Sequence, residues 1–168
     1  SFLVGAIAAM ESKTGAIGFI GGMDAPLIHK FEAGYKAGAK AIKPDIKVLV
    51  GYAGNTPKAF NDPAKGKELT LNQYSQGADI IFQAAGATGF GVKEAAIEKD
   101  KFAIWVDSNG NHLAPGHIIT SMEKRVDIAV YNTIKEVVDG NFKGGIHEFG
   151  LKEDGVGYSL DAFNRPDK

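Results

Sequence analysis

The chain has no cysteine. Disulfides and thiolate chemistry are therefore excluded, and either redox compartment suits it. It has no excess of one charge. Lys and Arg number 19 against 20 Asp and Glu, a formal net charge of -1, so there is no bulk electrostatic case for nucleic acid or an anionic membrane. No run reaches the roughly 18 apolar residues that a membrane-spanning helix needs. Familiar chemical motifs are missing too. The histidines His29, His112, His117 and His147 are scattered, without H-E-x-x-H or a similar metal spacing. No G-x-S-x-G elbow, Walker pattern or G-x-G-x-x-G fingerprint occurs. These absences predict a protein that is not an enzyme and that uses no cofactor and no metal.

At 168 residues the chain is long enough for one domain with a real core. It is rich in glycine, with 22 residues, and the glycines fall where strands should end. The stretch from Asp79 to Gly91 shows the pattern best. Ile80-Ile81-Phe82 suits a strand buried on both faces. Gly86, Gly89 and Gly91 follow, and Val92 to Ile97 reads as helix. Strand, glycine turn and helix make the βα joint of an α/β protein, whose ligands sit at the carboxyl ends of the strands. A tight βα turn with no ligand has the same signature.

The rest of the chain repeats the alternation. Phe2 to Ser12 is apolar around most of its circumference, a helix that needs cover on several sides. It lacks the basic n-region of a signal peptide and runs straight on into the fold. Ala16 to Ile20 is a strand leaving through Gly21-Gly22. Asp24 stands as a cap for a helix from Leu27 to about Ile42. Ile46 to Ala53 is a strand, Asp62-Pro63 starts a helix from Ala64 to Gln76, and Gly77 stops it. Phe102 to Val106 and Ile118 to Ser121 are further strands. Arg125 to Val138 is an amphipathic helix, and Ile146 to Gly150 is expected to add a strand. Such alternation predicts an α/β fold, a parallel sheet with flanking helices. The helices Phe2–Ser12 and Arg125–Val138 do not fit the alternation, and both are apolar enough to want a second sheet.

The strand exits converge on one edge of this sheet. They carry Met23 and Asp24, Gly54 to Phe60, Gly86 to Gly89, and Asp107-Ser108, with Lys124 just past the fifth strand. One acid, one base, one aromatic and exposed backbone suit a neutral polar ligand with hydroxyls and a ring. Asp107 is placed either to accept two hydroxyl hydrogen bonds or to brace its own loop. Lys124 either donates to the ligand, neutralises Asp107, or is solvated. Phe60 either stacks on a flat ring or folds back on the core.

Several blocks then occur together and in order: GFIGGM at 18–23, FEAGY at 31–35, FNDPAKGK at 60–67, AAGATG at 84–89, VDS at 106–108 and TSMEKRVD at 120–127. With them, the chain from Gly5 to Gly157 resembles the basic membrane protein family, the purine-nucleoside receptor lipoproteins of bacterial ABC importers. The resemblance implies one lobe of a type I periplasmic-binding-protein fold, in which two lobes close on a nucleoside and deliver it to a permease. It implies that Asp107 binds ribose hydroxyls with Lys124 and the backbone at Gly86, that Phe60 packs on the base or sugar, and that Met23 and Asp24 line the cleft. It also implies an upstream N-terminal lobe with a lipid anchor, and a location outside the cytoplasm, in the periplasm or at the cell surface. On this view residues 1–14 are a helix of the missing lobe and 15–121 are the C-terminal α/β lobe. Residues 122–141 are a crossover helix packed on the missing lobe, and 142–168 are a return strand and tail. A ligand-sensing regulatory domain of the same fold, or a receptor for a sugar or another ring-bearing ligand, is the alternative.

Overall fold

The computed structural model describes residues 1–164 of the chain. β1 (Ala16–Met23) is an eight-residue strand buried along nearly its whole length. On one side it pairs with β2 (Lys47–Gly54), on the other with β3 (Ile80–Ala84), both parallel. β4 (Phe102–Asp107) and β5 (Ile118–Lys124) extend the parallel set. β6 (Val156–Ser159) pairs antiparallel with β5, giving the order β2-β1-β3-β4-β5-β6. The apolar runs of β1 and β3 are explained by cover on both faces, as parallel sheets require.

Successive residues of a strand point to opposite faces, and the core divides accordingly. Ile17 and Phe19 of β1, Ile80 and Phe82 of β3, and Ile104 of β4 share a buried cluster with α1 (Phe2–Glu11) and α2 (Pro26–Ile42). Ile20, Ile81, Ala103 and Trp105 face α3 (Pro63–Ser75) and α4 (Gly89–Glu98). Trp105 is therefore core, with Phe90 against it at 5.4 Å between ring centres.

Three local signals act as read. Asp62 caps α3 by accepting from the Lys65 N–H at 2.9 Å. Gly77 follows the helix at φ +101°, and Gly86 turns the chain after β3 at φ +57°. Asp24 does not cap α2. The cap position is Ala25, without a side-chain bond, and the Asp24 carboxylate instead lies 2.6 Å from His29 Nε2.

The helix α1, which the resemblance implies belongs to an absent lobe, packs on α2. Small residues permit the approach. A Cβ at Gly5 would lie 2.1 Å from the Tyr35 carbonyl oxygen, and one at Gly38 would lie 1.9 Å from that of Phe2. The end of α1 is also tied to the start of β3. The buried Asp79 carboxylate accepts from Ser12 Oγ at 2.8 Å and from the Lys13 and Thr14 N–H groups at 2.7 and 3.0 Å.

The other helix outside the alternation, α5 (Val126–Val138), has no buried residue. Residues 146–150 form no strand, and Ile146 is 97 % exposed. Their apolar side chains meet no neighbouring strand. The return strand is β6, where Val156 to Ser159 find the free edge of β5. The last part of the expected tail, residues 165–168, lies outside the described residues.

Candidate functional site

Parallel strands send their exit loops to one end of the sheet, and those loops are cross-linked here. Thr88 is fully buried between two of them. Its Oγ donates to the Ala59 carbonyl at 2.7 Å and accepts from the Asp62 N–H at 2.8 Å. The turn at Gly86 and the 3-10 turn Pro57–Phe60 are thereby held together. Phe60 is seated by two glycines. A Cβ at Gly22 would lie 2.3 Å from the Phe60 ring, and one at Gly86 would lie 3.1 Å from its carbonyl oxygen. Phe60 packs on the core with part of its ring surface left open.

Asp107 ends β4 at φ +71°. The Ser108 N–H donates back to the Val106 carbonyl at 3.0 Å, making a γ-turn about Asp107. A non-glycine residue held this way costs on the order of 1–3 kcal/mol. β4 and β5 run in parallel register with Asp107 opposite Glu123, so the next residue, Lys124, comes within reach. Lys124 Nζ lies 2.7 Å from Asp107 Oδ1, with both side chains about half exposed.

These residues border one hollow of about 270 Å³. Leu27, Ile28 and Phe31 of α2 form an apolar wall. Phe60, Ala84 and Gly86 form the floor, and Val106, Asp107 and Lys124 close the far side. An apolar wall facing an ion pair suits a ligand with a flat apolar part and hydroxyls. The volume lies just below the roughly 300 Å³ at which ligand pockets usually begin. A second hollow of about 410 Å³ shares Asp107 and Lys124 and continues to Arg125, Asp127 and Ile128 at the start of α5.

Of the residues predicted from sequence, Phe60, Gly86, Asp107 and Lys124 come together. Met23 and Asp24 do not line this hollow: Met23 pairs with Gly54 in the sheet, and Asp24 turns to His29. Leu27, Ile28 and Phe31 were not foreseen, although their spacing at the start of a helix beside a strand exit carried the signal. A polar group flanks the wall. Burial opposes the charge of Glu32, but hydrogen bonds from Lys36 and the Tyr52 hydroxyl prevail and hold its carboxyl below the ordinary range. Burial, followed by the bond to Glu32, pushes the Tyr52 phenol up. No cluster of metal-ligating side chains occurs among the described residues.

A protein-family model described as "ABC transporter substrate-binding protein PnrA-like" matches residues 1–167. Basic membrane protein D of Borreliella burgdorferi (strain JD1) is 43 % identical over 165 residues, covering 96 % of this chain and 47 % of that protein. The ABC transporter nucleoside-binding protein BmpA of Lactococcus lactis subsp. cremoris is 38 % identical, with 96 % and 50 % covered. The chain spans about half the length of the curated relatives it matches. Among solved structures, an ABC-transporter solute-binding protein from Aeropyrum pernix K1 superposes with a TM-score of 0.81 at 36 % identity, over 95 % of this chain and 46 % of that one. A transcriptional activator of the comK gene from Bacillus halodurans superposes with a TM-score of 0.83 at 22 % identity, over 99 % and 56 %, and shares the fold.

Proposed function

Because this chain belongs to the Bmp family of PnrA-like ABC-transporter substrate-binding proteins, we propose that it forms one wall of a purine-nucleoside site in a receptor that serves a bacterial ABC permease. The observation that carries this reading is the convergence of Phe60, Gly86, Asp107 and Lys124 on one hollow with an apolar wall. Phe60 and the α2 wall receive the flat base, while Asp107 accepts the ribose hydroxyls and Lys124 shares them. The relative in Lactococcus lactis, a nucleoside-binding protein, supports the ligand class.

The protein binds and releases its ligand without turning it over. The receptor works outside the cytoplasm, held to the membrane by a lipid on an upstream segment. No helix among the described residues is long and apolar enough to cross a membrane. A further lobe closes over the hollow and packs on α5, whose Val126, Val130, Ile134, Val137 and Val138 are all more than half exposed. Ligand favours the closed state because it touches both walls only there.

The test is a thermal-shift panel of inosine, guanosine, adenosine, cytidine, ribose and riboflavin, run on this chain and on the full-length gene product. Purine nucleosides are expected to raise the Tm of the longer protein. At about a hundred times the dissociation constant, the gain is about 2.7 kcal/mol. A response to ribose alone, or to none of the panel, defeats the nucleoside reading.

A further inference from the structure

The loop after β4 contains more polar structure than a connection needs. A backbone like that of Asp107 persists only where its surroundings over-determine it, and the residues after it are pinned one by one. The Gly110 N–H donates to Ser121 Oγ of β5 at 3.0 Å, and Ser121 Oγ donates to Asn111 Oδ1 at 2.7 Å. The Asn111 N–H donates to Asn109 Oδ1 at 3.0 Å. On its other side Asn111 meets the segment after β6. Its Nδ2 lies 3.0 Å from Asp161 Oδ2, 3.2 Å from Asn164 Oδ1 and 3.3 Å from Ser159 Oγ. Asn109 Nδ2 donates to the same Asp161 oxygen at 2.7 Å, and this bond above all holds the Asp161 carboxyl below its ordinary range. Gly110 lies against Trp105, where a Cβ would come within 2.3 Å of the indole.

Asn111 and Ser121 are fully buried. Asn111 borders neither hollow, yet it joins the exit of β4, the strand β5 and the chain beyond β6. We propose that Asn111 is a positioning residue for Asp107: with Ser121 and Asp161 it locks residues 108–111 so that the Asp107 carboxylate stays turned to the cleft. The segment 159–164 thereby contributes to ligand affinity without touching ligand. The inference rests on the reading that Asp107 receives ligand hydroxyls.

Two measurements test it. Amide exchange on this chain needs no ligand. Asn111→Ala is expected to lower the protection of the Gly110 amide at least about tenfold and to leave β1 and β3 unchanged; retained protection overturns the lock. Where Asn111→Ala does not fold, Asp161→Ala in the exposed tail is read in the same way, with the same fall expected. The second measurement is made on the full-length product with inosine and 2′,3′-dideoxyinosine. The wild type is expected to prefer inosine at least about tenfold, equal to about 1.4 kcal/mol. Asn111→Ala and Asp107→Ala are each expected to bring that ratio close to one, and the double variant to add nothing. A general loss of stability would weaken both ligands equally and leave the ratio intact, which overturns the positioning role. A wild-type product that binds neither compound defeats the nucleoside reading, and the Gly110 exchange result then decides the lock by itself.

Discussion

At the residue scale, the hollow depends on side chains that glycines admit and on one acid in a costly conformation. Asp107→Ala is expected to weaken ribonucleoside binding at least about tenfold, about 1.4 kcal/mol, while binding of the free base stays nearly constant. Calorimetric titration of both ligands checks this, and equal losses would mean that the acid only braces its loop. Gly22→Ala acts through Phe60, because the new Cβ would lie 2.3 Å from the ring. Overpacking of this kind costs about 1–3 kcal/mol. The ring must shift into the hollow, so affinity for the base is expected to fall together with the urea midpoint. An unchanged affinity would show that Phe60 does not face the ligand.

At the scale of elements, α1 is held by close backbone contact and by one buried carboxylate. Asp79→Ala leaves Ser12 Oγ and two N–H groups without their acceptor. The cost is expected to be about 1–3 kcal/mol per unsatisfied group before relaxation, and equilibrium urea unfolding measures it. Native-state exchange should show α1 opening first, whereas uniform loss across the sheet would mean that α1 is not a separable unit. The start of α2 carries a pH dependence. The Glu32 carboxyl is held below its ordinary range. Its contribution to stability is therefore complete above its unfolded pKa of about 4.3 and is lost as pH falls through the lower folded value. Glu32→Gln is expected to flatten the acid limb of the stability profile in that window. A variant profile parallel to the wild type would remove Glu32 as a source.

At the scale of the whole molecule, the excursion from Val126 to Asp154 is bounded by a narrow neck. The Arg125 N–H donates to the Gly155 carbonyl at 2.9 Å, and the Arg125 guanidinium lies 2.5 Å from Asp154. Beyond the neck, Val130, Tyr131, Ile134, Val138, Ile146 and Leu151 are each more than half exposed. An apolar helix without cover is an association surface. This chain is expected to self-associate and to bind a hydrophobic dye, and α5 is expected to gain amide protection in the full-length product. Equal exchange of α5 in both proteins would refute its packing on a second lobe.

The alternation of apolar runs with glycine exits determined the sheet, its crossover helices and the end at which the hollow lies. These features follow from periods of a few residues and from turn chemistry, which neighbouring residues set among themselves. Phe60, Gly86, Asp107 and Lys124 could be read for that reason, as each stands at the end of a strand or in the loop that follows one. Tertiary structure alone decided the rest. Asp24 left its capping position for His29, and α1 settled on α2 because Gly5 and Gly38 let two backbones meet. The return strand formed at Val156–Ser159 because that segment reached a free edge and residues 146–150 did not. Asn111 took its place only when β5 and the segment after β6 closed around it. Apart from Asp24, whose partner is five residues away, these outcomes depend on partners distant in sequence, and no local pattern records which distant group a side chain will meet.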